Sequence, residues 1–307
     1  TVIYVDYKAG LDTNDGLTRT TPVKTLPVAY TKLSSAGTVN TNIIVIMKDY
    51  TGIAFNTSSL LSAKNGKAAT ITGAYDGQEE GGTLLLSGGT AGRFISGDTN
   101  FENLTFYGSA HTTGTGSVDL YVQGHKVKFG SNIIMDRYIK NGTLPDFDIY
   151  GGWRKPNEQY SVATNTPTIE INSGQFNKII MGNGMGTNAV SNLQNTTSNN
   201  IMGSSSASFG GTVTVDYTGK MKQEDIGLIA GGNEIGTIYS NAIINIKNGN
   251  VGKIIGGNYA DSSNRPTSWA YPLNTFIGTS TINVTGGQIE NIIGASYGRN
   301  VNGTTIK

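Results

Sequence analysis

The most regular feature of the chain is an alternation of apolar and polar positions that recurs and ends each time in a glycine-rich turn. Three segments, 168–182, 243–257 and 281–295, align without gaps. Each begins with an alternating strand, passes a glycine turn and one apolar residue, and ends in two Ile residues and a small-residue corner. A fourth copy, from Thr212 to Gly232, carries insertions. Such self-similarity predicts a repeat architecture.

Each repeat unit contains two short strands with a sharp bend between them, and it is too short to bury its own apolar face. Alternate side chains of a strand point to opposite faces, so stacking the units in parallel would place apolar side chains on their equivalents in the next unit. The closest copies end at Gly232 and Gly257, 25 residues apart, which fits a coil of three strands. With coils about 4.8 Å apart, about nine or ten of them would make a rod of roughly 45 Å. In the first copy the inward residues are expected to be Ile169, Ile171, Phe176 and Ile179.

The pattern extends to the whole chain and predicts an all-β fold, a single-stranded parallel β-helix (solenoid) over 1–307 as a single domain. In that domain 1–38 forms an N-terminal strand and capping helix, and 39–307 forms the coils. An all-β sandwich, the alternative, would not need a ladder of near-identical units. Long lateral insertions are expected at about 153–166, 183–210 and 258–278. Strands of the first half are expected around 43–47, 69–72, 83–86, 101–106, 119–122, 126–129 and 133–135.

The N-terminus has a different pattern. Residues 2–6 alternate and are β-branched or aromatic, which predicts a strand. Residues 12–16 favour turns, so a turn is the first interpretation of this stretch and a calcium loop the second. After Thr25, apolar residues follow a helical spacing, with Pro27 in the first turn, where a missing N–H costs nothing. The apolar face of this helix consists of Leu26, Ala29, Tyr30 and Leu33.

The same segment carries a family resemblance. The residues concerned are Tyr4-Val5-Asp6, Gly10, Asp12, Asn14-Asp15-Gly16-Leu17-Thr18, Thr21-Pro22-Val23-Lys24-Thr25-Leu26 and Ala29. They resemble the opening segment of right-handed parallel β-helix proteins of the pectate-lyase-like superfamily, in which a short helix caps the first coil. That resemblance implies the fold and not an activity, because the same opening precedes lyases, hydrolases and adhesins. Nothing after Asn300 provides a comparable cap, so we expect a further domain or partner beyond Lys307.

The corner after the second strand recurs five times, at 149–152, 180–182, 228–232, 255–257 and 293–295. If these corners stack, the variable segments that follow them leave the rod along one edge.

Both tryptophans of the chain lie in these segments. The candidate ligand-binding aromatics are Trp153, Tyr160, Tyr259, Trp269, Tyr271 and Tyr297. They either cover the flank of the sheet or form an exposed platform, and flat rings flanked by polar residues suit the faces and hydroxyl rims of sugars.

The resemblance also calls for a search for catalytic residues. The β-helix hydrolases carry Asn-Thr-Asp, Asp-Asp, Gly-His-Gly and Arg-x-Lys on successive coils, and this chain lacks the first two motifs and departs from the order of the others. Asp146 and Asp148 share one side of a predicted strand, so they could act as paired carboxylates, although a structural or solvated role and metal binding are alternatives. If the chain is an enzyme, its catalytic residues would be Asp146, Asp148, Arg137 and Lys140. His111 and His125 have no sequence partner for a triad.

Composition narrows the classes of function. Twenty-two Lys and Arg residues against 21 Asp and Glu give a net charge of +1, and only 14% of residues are charged, which disfavours nucleic-acid binding. The absence of Cys excludes disulfides, zinc-thiolate sites and Cys nucleophiles, and 43 Gly indicate many tight turns. No apolar run approaches about 18 residues and Thr1 opens no signal-peptide pattern, so we expect an excised mature domain without membrane insertion.

These features predict a non-catalytic carbohydrate-binding or adhesion module of a larger, secreted bacterial surface protein. Low charge, many Asn, Thr and Ser residues and the lack of Cys favour an extracellular, cell-surface location. In architecture and loop character the chain is similar to the tāpirins, surface proteins that attach to cellulose, which implies an insoluble plant polysaccharide as the partner. The alternatives are a polysaccharide lyase or glycoside hydrolase, and a structural or protein-binding adhesin. No cofactor is expected, and Ca²⁺ is the one ion that the sequence leaves open.

Overall fold

The structure of the protein is a computed structural model that is mostly strand, arranged in parallel sheets, with a single described helix. The single described helix has seven residues, far fewer than the roughly 20 that a membrane-spanning helix needs. The structure describes residues 1–47, 67–86, 93–95, 97–108, 118–136, 147–152, 167–182, 202–209, 226–234, 238–259, 275–294, 299–301 and 304–307.

The described elements are one helix and 24 short strands. In chain order they are β1 (Val2–Val5), α1 (Leu26–Lys32), β2 (Ile43–Ile46), β3 (Ala69–Thr72), β4 (Ala74–Tyr75), β5 (Gln78–Glu79), β6 (Thr83–Leu86), β7 (Arg93–Phe94), β8 (Thr99–Glu102), β9 (Thr105–Gly108), β10 (Val118–Tyr121), β11 (Lys126–Phe129), β12 (Ile134–Asp136), β13 (Phe147–Tyr150), β14 (Thr168–Ile171), β15 (Phe176–Ile180), β16 (Met202–Phe209), β17 (Ile226–Ala230), β18 (Ile238–Ile246), β19 (Asn250–Ile255), β20 (Thr275–Ile277), β21 (Ser280–Val284), β22 (Gln288–Ile293), β23 (Arg299–Val301) and β24 (Thr304–Ile306).

Three parallel sheets contain all of these strands except the antiparallel hairpin β4–β5. The long sheet has twelve strands in the order β1-β2-β3-β8-β11-β14-β16-β18-β20-β23, with β21 between β18 and β24. The seven-stranded sheet runs β7-β10-β13-β15-β17-β19-β22, and the three-stranded sheet runs β6-β9-β12. From β6 to β14 the chain visits the three-stranded, seven-stranded and long sheets in a constant order. From β15 to β24 it moves between the seven-stranded and long sheets, and the pairs β20–β21 and β23–β24 are consecutive strands of the long sheet.

The repeats stack in register, as predicted. Ile229 of β17 lies opposite Ile254 of β19, 25 residues later in the chain, and Ile244 of β18 lies opposite Ile282 of β21. The inward residues expected for the first copy are all buried, with exposures of 4% or less; they are Ile169, Ile171, Phe176 and Ile179. Aromatic rings fill the core between these strands, and Phe129 lies 4.8 Å from Phe176 between ring centroids.

Two parts of the pattern differ from expectation. The strand expected over 101–106 is two strands, β8 and β9, in different sheets, because Asn103 adopts a left-handed backbone (φ 51°) that Asn tolerates and that turns the chain.

The position beside β14 in the long sheet is occupied by Met202–Phe209, inside the insertion expected over 183–210. The start of the fourth copy, 212–219, lies outside the described residues, and its second half contains β17. Likewise β20 lies within the insertion expected over 258–278.

The predicted N-terminal strand and helix are present, with Leu33 just beyond the end of the helix. Val2–Val5 forms β1, and α1 buries Leu26, Ala29 and Tyr30. Residues 12–16 form turns whose carboxylates accept protein hydrogen bonds: Asp12 from the backbone N–H of Thr25 at 2.9 Å and Asp15 from the hydroxyl of Thr21 at 2.7 Å. The Asp12 bond ties the turn to the residue that precedes α1, and the Asp15 bond closes the loop between them.

Candidate functional site

A polar cluster lies on the outer face of the seven-stranded sheet. Asp119 of β10, Asp148 of β13 and Lys178 of β15 occupy successive positions of one register row. Their neighbours along each strand, such as Ile149 and Ile179, are fully buried in the core. Because successive side chains of a strand point to opposite faces, Asp119, Asp148 and Lys178 lie together on the outer face, on strands about 4.8 Å apart.

Lys178 joins two carboxylates in this cluster. Its Nζ lies 3.1 Å from Oδ2 of Asp148 and 2.9 Å from Oε1 of Glu234, which lies just beyond the corner that follows β17. Asn177 donates a hydrogen bond of 2.8 Å to the other oxygen of Asp148. The side chains of Asp148, Glu234 and Lys178 are 6%, 15% and 17% exposed, so the ion pairs are largely removed from water. We call Asp148, Asn177, Lys178 and Glu234 the Lys178 cluster.

Burial and charge act in opposite directions within the Lys178 cluster. Burial raises the pKa of Asp148 from its ordinary value of 3.8 to about 6, although Lys178 and the Asn177 hydrogen bond favour the ionised form. Burial alone would lower the pKa of Lys178, but Asp148 and Glu234 outweigh it, so the pKa of Lys178 is raised above 10.5. Lys178 therefore stays charged at neutral pH, while Asp148 can gain a proton under mildly acidic conditions.

Aromatic rings border the Lys178 cluster. The rings of Tyr121 and Tyr150 stack with centroids 4.9 Å apart, and Phe94 stacks on Tyr121 at 5.3 Å. Lys178 Nζ lies 5.6 Å from the ring centroid of Tyr150 and 5.7 Å from that of Tyr259. Tyr121 and Tyr150 are buried, whereas Tyr259 is only partly buried. An ammonium group this close to an aromatic ring is attracted to the ring face, so Lys178 stabilises the positions of the Tyr150 and Tyr259 rings.

The corners that precede the variable segments stack on one another, as the sequence predicts. The backbone N–H of Gly152 donates to the carbonyl of Gly182, Gly182 to Gly232, and Gly232 to Gly257, at 2.8 to 3.0 Å. A Cβ added to Gly231 would clash with the backbone carbonyl oxygen of Gly256 in the next corner, so the close approach of these two corners requires glycine. The variable segments that follow these corners therefore start from one edge of the seven-stranded sheet; apart from β16, β20 and a few adjoining residues, their course lies outside the described residues.

The structure describes two of the predicted site residues. Asp148 is buried in the Lys178 cluster, and Tyr259 follows the stacked corner beside it. The remaining candidates lie outside the described residues: Asp146, Arg137, Lys140, Trp153, Tyr160, Trp269, Tyr271 and Tyr297. The pairing of Asp146 with Asp148 and the aromatic platform therefore stay predictions.

Sequence reasoning missed Lys178 and Glu234. A signal for Lys178 exists, because it occupies the same place in the repeat as Lys253, before the two Ile residues. Glu234 gave no such signal, since it lies outside the repeat and reaches Lys178 only after the corners stack.

Of the two histidines, His111 lies outside the described residues and His125 makes a structural contact. His125 lies 3.9 Å from the carboxylate of Asp98, and burial lowers the pKa of the imidazole, although Asp98 acts in the opposite direction. In the part of the chain that the structure describes, no group of three or more His, Asp or Glu residues could hold a metal ion. The Lys178 cluster combines two ionisable groups with shifted pKa values, Asp148 and Lys178, which is typical of functional and of structural ion-pair sites alike. In comparisons with known proteins, the chain matches no family model, no curated protein and no solved structure.

Proposed function

We propose that the three parallel sheets are the walls of a right-handed parallel β-helix. The proposal is supported by the constant order in which the chain visits the sheets and by the residue-for-residue register of successive strands. Crossovers between parallel strands of one sheet are right-handed in about 98% of cases, which favours that hand.

We further propose that the chain is a non-catalytic carbohydrate-binding or adhesion module of a secreted surface protein. The stacking of the corners carries this proposal, because it brings the starts of the aromatic-bearing segments to one edge of the sheet. Repetition of aromatic groups along an edge suits a long, flat ligand such as a cellulose surface better than a single small molecule. The expected partner is an insoluble plant polysaccharide.

Tyr259 is the described member of this surface. Its backbone N–H donates to the carbonyl of Asn233 at 3.0 Å, and Lys178 approaches its ring, so the ring is held in place before any ligand arrives. A ring that is already fixed loses little conformational entropy on binding, which favours affinity. The hydroxyl groups of a sugar stacked on Tyr259 would lie near the polar atoms of Glu234 and Lys178.

The proposal is tested by a depletion assay on microcrystalline cellulose and a panel of other insoluble glycans. We expect Tyr259→Ala and the double variant Trp153→Ala/Trp269→Ala to leave more protein in the supernatant than the unaltered chain. Tyr75→Ala is the matched control, since Tyr75 is a partly buried tyrosine on the β4–β5 hairpin. Equal depletion by all variants would contradict a role for these aromatics.

A second candidate is a polysaccharide lyase or glycoside hydrolase centred on Asp148 and Glu234. Both carboxylates contact the same ammonium group, so their nearest oxygens are no more than about 6 Å apart. Retaining glycosidases hold their two carboxyl groups about 5 to 5.5 Å apart, with the pKa of the acid raised, as burial raises that of Asp148. Release of soluble sugar that Asp148→Asn and Glu234→Gln both abolish would establish this candidate and displace the first.

A further inference from the structure

The turn between β18 and β19 places a backbone nitrogen beside a side-chain amide. Asn248 is exposed, and Gly249 follows it. The backbone N–H of Gly249 donates a hydrogen bond of 2.9 Å to Oδ1 of Asn248. Cγ of Asn248 is one carbonyl bond, about 1.2 Å, from that oxygen, so the nitrogen and the carbonyl carbon are close neighbours. Rotation about the Cβ–Cγ bond turns the carbonyl without changing the distance between these two atoms.

The glycine leaves room for this approach. Gly249 has a left-handed backbone (φ 86°) and no Cβ, so no side chain crowds its nitrogen. The aligned turns of the other two repeats keep the left-handed glycine, at Gly174 (φ 101°) and Gly287 (φ 84°). The residue before it is Ser173 in one turn and Gly286 in the other. Among the three repeats that align without gaps, only the turn at 248 combines this glycine with an amide side chain.

We propose that Asn248 is a site of spontaneous deamidation, in which the chain's own backbone is the nucleophile and water is the co-reactant. Hydroxide removes the proton of the Gly249 N–H, and the nitrogen forms a bond to Cγ of Asn248. The bond from Cγ to Nδ2 breaks, and Nδ2 takes a proton from water and leaves as ammonia. The product of this step is a cyclic succinimide that joins the two residues.

Water then opens the succinimide. Hydrolysis of the bond between Cγ and the Gly249 nitrogen gives Asp at position 248. Hydrolysis of the bond between the backbone carbonyl carbon of residue 248 and the same nitrogen gives isoaspartate, in which the main chain runs through Cβ and Cγ. In both cases water is consumed, ammonia is released, and nothing is oxidised or reduced. The inference is independent of the carbohydrate proposal.

The isoaspartate product does not fit the stack of turns. The backbone N–H of Gln288 in the next repeat donates to the carbonyl of Gly249 at 2.9 Å, and Asn250 lies opposite Gln288 in the β19–β22 register. A Cβ added to Gly287 would clash with the carbonyl oxygen of Gly249, so the two turns are in close contact. Isoaspartate lengthens the main chain by one carbon at this contact. We therefore expect it to disturb the pairing of β19 with β22, whereas Asp changes only the charge.

The test ages the whole chain at neutral and at mildly alkaline pH. Peptide mapping by mass spectrometry, with a fragmentation method that separates Asp from isoaspartate, follows the asparagines. We expect both products at Asn248, at a rate that rises with pH because hydroxide removes the amide proton. Asn40 and Asn291 are exposed controls followed by Thr41 and Ile292, whose β-branched side chains crowd the nitrogen. They are expected to react at least about ten-fold more slowly. Equal rates, no conversion of Asn248, or Asp without isoaspartate would overturn the proposal.

A variant adds a second test. Asn248→Gln keeps an amide, but its extra methylene moves the carbonyl carbon away from the Gly249 nitrogen, so almost no conversion is expected. Amide hydrogen exchange of the aged chains should be faster at 250–255 and 288–293 in the unaltered chain than in the variant. Conversion of the variant at the rate of the unaltered chain would overturn the role of the Gly249 nitrogen, and equal exchange would overturn the effect on the stack. The peptide mapping uses the unaltered chain and stays decisive if Asn248→Gln unfolds.

Discussion

At the scale of the residue, Asp148 shows how stacking changes the chemistry of an ordinary side chain. As part of an alternating strand it lies on the outer face of the sheet, where a carboxylate would normally be hydrated. Here the neighbouring strands and the aromatic rings beside them bury it, and its charge depends on Lys178 and Asn177. Replacing hydration by two specific contacts makes its ionisation sensitive to the fold.

This sensitivity predicts a pH dependence of stability. The pKa of Asp148 is about 6 in the folded chain, above the ordinary 3.8, so the folded state holds the proton more tightly than the unfolded state. The contribution of Asp148 to the free energy of unfolding is therefore greatest below pH 3.8 and falls as the pH rises to about 6. We expect the unaltered chain to lose roughly 2 to 3 kcal/mol over this range relative to Asp148→Asn. Urea unfolding at several pH values measures the difference.

A matched variant controls that measurement. Glu79→Gln removes an exposed carboxylate from the β4–β5 hairpin and should follow the unaltered chain across the pH range. Parallel curves for Asp148→Asn and the unaltered chain would show that the pKa of Asp148 is not raised.

Ser280 carries a second prediction at this scale. Its hydroxyl is buried and lacks a hydrogen-bond partner in the part of the chain that the structure describes. The register partner in β18 is Ala242, which fills the same position without a polar group. Ser280→Ala should raise the free energy of unfolding by about 1 kcal/mol, because it removes an uncompensated buried hydroxyl. Thermal and urea unfolding of this variant, compared with a control variant of the exposed Ser35, Ser35→Ala, measure the change. A loss of stability in Ser280→Ala but not in Ser35→Ala would reveal a partner for the hydroxyl.

At the scale of the element, one buried lysine holds α1 at the end of the stack. Lys67 is 8% exposed, and its Nζ donates hydrogen bonds to the backbone carbonyls of Tyr30, Thr31 and Leu33 at 3.0, 2.9 and 2.6 Å. These carbonyls belong to the last turn of α1, which has no further helical turn to satisfy them. The positive charge also suits the negative end of the helix dipole.

Lys67→Met should therefore destabilise the chain by about 2 to 4 kcal/mol, since it removes the donor to the carbonyls of Thr31 and Leu33 and one of the two donors to that of Tyr30. Lys8→Met, which alters an exposed lysine near the same end, is the control and should change stability little. Urea unfolding monitored by circular dichroism compares the two variants. Equal stability of both would mean that the carbonyls of α1 find other donors.

Elements defined by local pattern could be predicted from the sequence. The apolar face of α1 follows the helical period of 3.6 residues, and the inward Ile residues of the repeat follow the strand period of 2. The positions of the corners could be predicted from their glycines. Met202–Phe209 could not be recognised as a strand because its Ser-rich sequence lacks the β-branched signal. The Lys178 cluster was also missed, since an outward charge is usually solvated and only stacking brings Glu234, more than 50 residues away, to Lys178.

At the scale of the whole molecule, the parallel sheets place the equivalent corners of successive sequence repeats side by side on the surface. Successive corners lie on one edge of the seven-stranded sheet, one strand spacing of about 4.8 Å apart. The segments after these corners contain both tryptophans and the tyrosines that we propose bind a polysaccharide. A surface built in this way would contact an extended ligand at several points, so weak single contacts would add together.

We propose that this edge of the seven-stranded sheet binds an insoluble glucan without cleaving it. The most direct measurement is the depletion isotherm of the unaltered chain on microcrystalline cellulose at low and moderate salt, with soluble sugar assayed in the same supernatant. We expect saturable loss of protein, nearly the same affinity at both salt concentrations because the contacts are largely apolar, and no released sugar. Soluble sugar in the supernatant, strong weakening by salt, or no loss of protein would contradict it.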